Sequence, residues 1–189
     1  MAAPNPPTRT SLTHPIYVDW LPDIAPGAIG LTFAPGKKAP SAIGHYRWER
    51  DLALDMARLV DEYAVTRRAC LIEDHEFEAL GIADYLDQAA QRGVAVYRHP
   101  IADGGTPDSP QSVQSLVERI VADARSGEVV VVHCRGGLGR AGTISGCALV
   151  SLGLAPEDAL DVLRRTRGPQ CPENLGQVDF IRRYAELNR

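Results

Sequence analysis

The stretch Val129 to Gly142 constrains this chain more than any other. Four consecutive valines at 129–132 read as the centre of a strand, Glu128–His133, buried on both faces. Glycines at 136, 137 and 139 interrupt the pattern, and a helix is expected over about 140–152. A strand, a glycine-rich loop and a helix start in succession turn backbone N–H groups inward and add the positive helix end. An anion belongs in such a cup. Nucleotide-binding loops share the principle but end in Lys followed by Ser or Thr. This loop opens with Cys134 and closes with Arg140.

The rest of the chain alternates in the same way. Ile16–Trp20 and Ala28–Phe33 are expected strands, separated by the turn signals Pro22 and Pro26-Gly27. A helix is expected at about 47–64, where Leu52, Met56, Leu59, Val60 and Tyr63 share a face. Then come a strand at Ala69–Ile72, a helix at Ile82–Gln91 closed by Gly93, and a strand at Val94–Tyr97. Ser109 and Pro110 open a helix to about Arg125, and helices at 156–167 and 173–188 end the chain. This order predicts an α/β sandwich whose central, mostly parallel, twisted sheet is flanked by helices. No long linker or repeat divides the 189 residues, so 16–189 reads as a single domain. The Pro- and Thr-rich residues 1–15 are expected to form a flexible tail.

Composition narrows the function classes. A net charge of −4 argues against a general nucleic-acid binder. No stretch approaches the roughly 20 apolar residues that span a bilayer, so no membrane segment is expected. The start lacks the apolar core of a secretory signal. Cys70, Cys134, Cys147 and Cys171 lie far apart without metal-ligand spacing. The chain therefore reads as a reduced, cytoplasmic protein with individual thiols, and no metal or cofactor is called for. A monomer is the working expectation.

Inside the cup, N–H donors, a helix N-terminus and a guanidinium favour the thiolate of Cys134 and make it a candidate nucleophile. Arg140 closes the ring and can grip two phosphate oxygens. Arg135, Gly136, Gly137, Leu138 and Gly139 supply the phosphate-binding backbone, and His133 orients the loop. The run His133-Cys134-x-x-Gly137-x-x-Arg140 resembles the signature of the protein tyrosine and dual-specificity phosphatases. The segments 100–108 and 133–140 further resemble the kinase-associated phosphatase (cyclin-dependent kinase inhibitor) branch, more weakly supported by Trp20-Leu21 and Pro35-Gly36-Lys37. The resemblance covers about residues 16–188. It implies the dual-specificity phosphatase fold, a phosphocysteine intermediate and a phosphorylated protein or peptide as substrate.

Ester cleavage also needs a proton donor for the leaving oxygen. Asp103 follows the strand 94–97 as Cys134 follows 128–133, so a parallel pair would bring both to the carboxyl edge of the sheet. Asp103 also matches the family's general acid; Asp108 is the competitor. Gln177 fits loosely the glutamine that positions water in family members, and a packing role fits equally. Many relatives place Ser or Thr after the arginine, where this chain has Ala141, with Thr143 two positions on. Slow turnover of the intermediate is the expectation. Arg98 and His99 are candidates for the cleft wall, while Arg164, Arg165 and Arg167 read as a solvated helix end. Three other readings stay open: a phosphatase of a small metabolite or inositol phosphate or lipid, a non-catalytic phosphopeptide-binding module, and a sulfur transferase.

Overall fold

β8 (Val129–Cys134) is the axis of the fold in the computed structural model, which describes residues 6–42 and 44–187. Val130, Val131 and Val132 are fully buried, with Val130 and Val132 in one core and Val131 in another on the opposite face. A strand buried on both faces needs neighbours on both edges. β3 (Ala28–Phe33) and β6 (Arg67–Cys70) supply them, both parallel to β8. β7 (Ala95–Arg98) adds in parallel outside β6, and β2 (Asp19–Trp20) pairs antiparallel with β3. The sheet order is β2-β3-β8-β6-β7. This is the expected sandwich with a mostly parallel central sheet.

Four helices share the larger core: α4 (Gln114–Arg125), α5 (Gly139–Ser151), α6 (Pro156–Arg167) and α7 (Leu175–Leu187). A second core holds residues of α1 (Leu52–Asp61), α2 (Asp74–Ala79) and α3 (Tyr85–Gln91), and the third and smallest gathers Ile16, Val18, Phe33, Leu59 and Val65 around Val131. α5 is buried along most of its length because it lies between the sheet and α4, α6 and α7. Its first residues are therefore held firmly behind the cup.

The expectations need correction mainly around the N-terminal third. Residues 8–15 are not a loose tail. β1 (Thr8–Arg9) pairs in parallel with β5 (Arg47–Glu49), to which β4 (Lys38–Pro40) adds antiparallel, making a second, three-stranded sheet. Ser11 Oγ bridges the backbone N–H and carbonyl of Asp51, and Arg50 donates to the carbonyl of His14. Residues 1–5 of the expected tail lie outside the described residues. The helix expected from 47 starts at Leu52, because 47–49 are paired in the small sheet and Asp51 caps the helix by accepting from Leu54 N–H. Only 19–20 of the expected strand 16–20 pairs; the carbonyls of Ile16 and Tyr17 instead accept from Arg58 and the Thr32 hydroxyl. The helix expected over 82–91 begins at Tyr85, and the short α2 before it was not foreseen.

Candidate active site

Cys134 ends β8 and the loop 135–138 leads directly into α5, so strand and helix fix both ends of the cup. The thiol is almost wholly buried, and its sulfur accepts the Gly137 N–H at 3.2 Å. Gly137 has φ +72°, and a Cβ there would lie 2.4 Å from the carbonyl oxygen of Thr32 on β3. Only glycine fits a left-handed residue pressed against a neighbouring strand. Gly139 is packed equally closely, against the side chains of Gln177 and Glu173, whereas a Cβ on Gly136 would meet nothing.

Arg140 is 1% exposed and four of its contacts are fixed. Nη1 donates to Glu76 Oε2 (2.6 Å) and to the carbonyl of Ile101 (2.9 Å); Nη2 donates to Glu76 Oε1 (3.0 Å) and Asp103 Oδ1 (2.8 Å). Burial opposes the guanidinium charge, but the Glu76 hydrogen bonds and the neighbouring anions outweigh it and raise the Arg140 pKa. Burial likewise opposes the Glu76 charge, and the Arg140 bonds overcome it, holding the carboxyl below its ordinary range. The capping carboxylate of α2 thus doubles as the anchor of the cup, since Glu76 Oε2 also accepts the Glu73 N–H. With α2 absent from the sequence reading, nothing local marked Glu76 as part of the site.

Asp103 stands on the loop after β7, half exposed, with Oδ2 3.9 Å from the Arg135 guanidinium. It shares a cleft of about 810 Å³ with Cys134, Arg135 and Arg140. Ile101 N–H donates to the Leu71 carbonyl, and two side chains at the start of α7 hold the loop beyond it. Asn174 donates to the Gly104 carbonyl and Gln177 to the Gly105 carbonyl. Gln177 is fully buried, its other amide atom accepts from Glu173 N–H, and it braces this loop rather than facing the cleft. Asp108, Arg98 and His99 are not among the residues lining the cleft. Arg98 is tied to Asp74, Cys70 and the Ile72 carbonyl.

His133 is fully buried with Nε2 2.6 Å from the Tyr85 hydroxyl. Burial first, and then Arg68, keep its pKa well below the ordinary value, so the ring is a neutral anchor. Ala141 is buried, and the Thr143 hydroxyl donates back to the Gly139 carbonyl at 2.9 Å. The other thiols are held protonated: burial pushes Cys171 up to about 12 and raises Cys70 and Cys147 as well.

Arg167 corrects the reading of a solvated helix end. Its Nε and Nη2 donate to the Gly137 and Gly136 carbonyls, and Nη1 pairs with Asp19. Arg167 thus braces the loop through two of its carbonyls, while the Gly137 N–H on the same loop is turned to the Cys134 sulfur. Lys37, whose one sequence signal is the Pro35-Gly36-Lys37 resemblance, lines the cleft too. Nothing in the spacing of either cation separates it from surface charges.

A mostly parallel α/β sheet that presents a cysteine-to-arginine cup at its carboxyl edge, beneath an acidic loop, defines a cysteine-dependent protein phosphatase. The comparisons agree. A family model described as cyclin-dependent kinase inhibitor 3 (CDKN3) matches residues 13–160. Human cyclin-dependent kinase inhibitor 3 is 27% identical over 184 residues, covering 91% of this chain and 80% of the relative. A crystal structure of kinase-associated phosphatase with serine in place of its catalytic cysteine superposes with TM-score 0.81 at 26% identity, over 91% of this chain and 95% of that one. Tk-PTP in its active form superposes with TM-score 0.66 at 28% identity, over 89% of this chain and 97% of that one. The chain belongs to the CDKN3 family, within the dual-specificity and protein tyrosine phosphatase superfamily.

Proposed function

We propose that this chain dephosphorylates phosphoproteins at phosphotyrosine, and at phosphoserine or phosphothreonine, with Cys134 as nucleophile, Asp103 as general acid and Arg140 as phosphate clamp. The observation that carries the reading is the contact of Arg140 with Asp103 above the Cys134 cup. A guanidinium has five N–H donors. Four are engaged here, which leaves Nε–H and whatever is released when Asp103 is displaced. A substrate phosphate takes Nε–H and the Nη2–H that Asp103 held. The exchange frees the carboxyl to face the leaving oxygen while Glu76 keeps the guanidinium in place.

Cys134 sulfur then attacks phosphorus and the bond to the leaving oxygen breaks, with Asp103 delivering the proton. Water next attacks the phosphocysteine, Asp103 takes its proton, and the sulfur–phosphorus bond breaks to release phosphate. Loop N–H groups and Arg140 stabilise the equatorial oxygens in both steps. The relatives carry a kinase in their name, so a phosphorylated protein kinase belongs first in a substrate panel.

The test is turnover of para-nitrophenyl phosphate and phosphopeptides with a chelator present. Cys134→Ser should abolish turnover, and Asp103→Ala should lower kcat by about 10²-fold or more while binding persists. A wild type that binds phosphopeptides but cleaves none would make the chain a reader instead. With the Thr143 hydroxyl tied to its own helix, no hydroxyl follows Arg140 to stabilise the departing thiolate. Rapid mixing should show a burst of the first product, and Ala141→Ser should speed the steady state. No burst in wild type, with no gain from serine, would refute the slow second step.

A further inference from the structure

We propose that Lys37 forms a second anion subsite beside the phosphate cup, which takes a further phosphate group on the same substrate. The inference rests on the phosphatase reading and deepens it. Lys37 follows β3, which ends level with Cys134, and its ammonium lines the same cleft. It is 7% exposed. Nζ lies 4.5 Å from the Phe33 ring centre and 4.9 Å from that of Trp48, and donates to the Arg135 carbonyl at 3.3 Å. Among the described residues no carboxylate lies within ion-pair distance of it.

The other cations nearby are committed. Arg50 is paired with Asp55, Arg140 with Glu76 and Asp103, Arg167 with Asp19 and two loop carbonyls, and the more exposed Arg135 lies 3.9 Å from Asp103. A buried ammonium with no carboxylate partner is expensive, and a ligand phosphate beside it relieves that expense. Arg9, stacked 3.7 Å over Tyr46 and 5.8 Å from Trp48, extends the cationic wall outward, again with no carboxylate partner among the described residues. The cleft is far larger than a single phosphate, so a second phosphorylated position fits beyond the cup.

The surroundings also make the subsite sensitive to pH. Burial lowers the Lys37 pKa to about 7; the Cys134 charge opposes this, while Arg50, Arg167 and Arg135 add to it. The subsite is charged below that pH and is discharged above it. A second phosphate gains negative charge over the same range. Preference for a doubly phosphorylated substrate that falls as pH rises therefore runs against the ligand's own titration and reports on Lys37.

Two substrate pairs test this: a phosphotyrosine peptide with and without a second phosphorylated residue nearby, and an inositol bisphosphate against a monophosphate. The readout is the ratio of kcat/KM within each pair at pH 6 and pH 8, for wild type and Lys37→Met. Wild type should prefer the doubly phosphorylated member of one pair by about ten-fold at pH 6, the worth of one charge-assisted hydrogen bond, and less at pH 8. In Lys37→Met the ratio should approach one at both pH values. Preference in the peptide pair assigns the second phosphate to a protein, and preference in the inositol pair assigns it to a small polyol. Equal turnover within both pairs at pH 6, or a preference that survives Lys37→Met, overturns the subsite and leaves the phosphatase reading intact. If Lys37→Met is inert, a wild-type ratio that does not fall with pH overturns it. A wild type that cleaves no member of either pair removes both readings.

Discussion

The phosphate cup and the aromatic wall opposite it line one cleft and are built in contrary ways. The cup comes from eight contiguous residues, 133–140, held between a buried strand and a buried helix. The wall is assembled from β1, the connection after β3, and β5, which are distant in sequence and joined by a small sheet. In the cup the charge of Arg140 is matched by carboxylates; in the wall Lys37 is not. The cup is therefore preorganised around one guanidinium, and the wall is where the proposed second phosphate of a substrate would supply the missing charge. On the proposed reading, reaction type is written in a short segment, whereas selectivity is spread over segments that meet only after folding.

The largest expected effect breaks the idea that the cup is self-sufficient. Glu76→Ala removes the buried carboxylate that holds both Nη atoms of Arg140 and leaves the buried guanidinium only the half-exposed Asp103 as an anion, a loss of about 3 kcal/mol. Urea unfolding should show that loss, and kcat/KM should fall by about 10²-fold or more as the clamp loses its orientation. The pH dependence has a definite sign. The Glu76 pKa is held below its ordinary 4.5 in the folded protein, so its contribution is present above that pH and lost as acid titrates the folded carboxyl. Glu76→Gln should therefore flatten the acid limb of the stability profile. An unaltered limb would mean that Asp103 alone holds the arginine.

The glycines of the cup sharpen the comparison. Gly137→Ala places a methyl group in contact with the Thr32 carbonyl at a positive φ, so it should cost about 2–4 kcal/mol and most of the activity. Gly136→Ala meets no atom and should stay within about 0.5 kcal/mol of wild type, with turnover preserved. Equal damage from the two would show that the loop's shape, rather than its contact with β3, is what glycine protects.

Legibility followed the same division. The valine run, the glycines and the Cys134-to-Arg140 spacing were readable because each acts through its immediate neighbours in the chain. The sheet was readable because hydrophobic runs and turn residues are local signals. The small sheet was not: Thr8–Arg9, Lys38–Pro40 and Arg47–Glu49 are two or three residues each, too short for a period, and their pairing is set by contacts across the fold. Arg167 and Glu76 failed for a related reason. A charged residue that braces a distant loop looks in sequence like one that faces water, and only the partner at the far end distinguishes them. Gln177 was legible as a residue near the site, but its two bonds to backbone are visible only once the loop after β7 is placed beside α7.

The smallest effect concerns the stability of the wall itself. Lys37 folds with its pKa lowered from 10.5 to about 7, so the unfolded chain holds more protons between those values and the folded state pays for the buried charge. At pH 6 that penalty is complete; by pH 9 the folded ammonium has lost its proton and part of the penalty is gone. Lys37→Met removes it and also forfeits the contacts with Phe33, Trp48 and the Arg135 carbonyl, losses that do not depend on pH. The difference in Tm between variant and wild type should thus be more positive at pH 6 than at pH 9. About two pKa units at 1.36 kcal/mol each, and roughly 2 °C per kcal/mol for a domain of this size, put the change near 5 °C. Thermal unfolding of both proteins at the two pH values measures it. A difference in Tm that is the same at both would mean that the ammonium keeps its ordinary pKa because an anion already balances it in the folded protein, and the contrast between a balanced cup and an unbalanced wall would be lost.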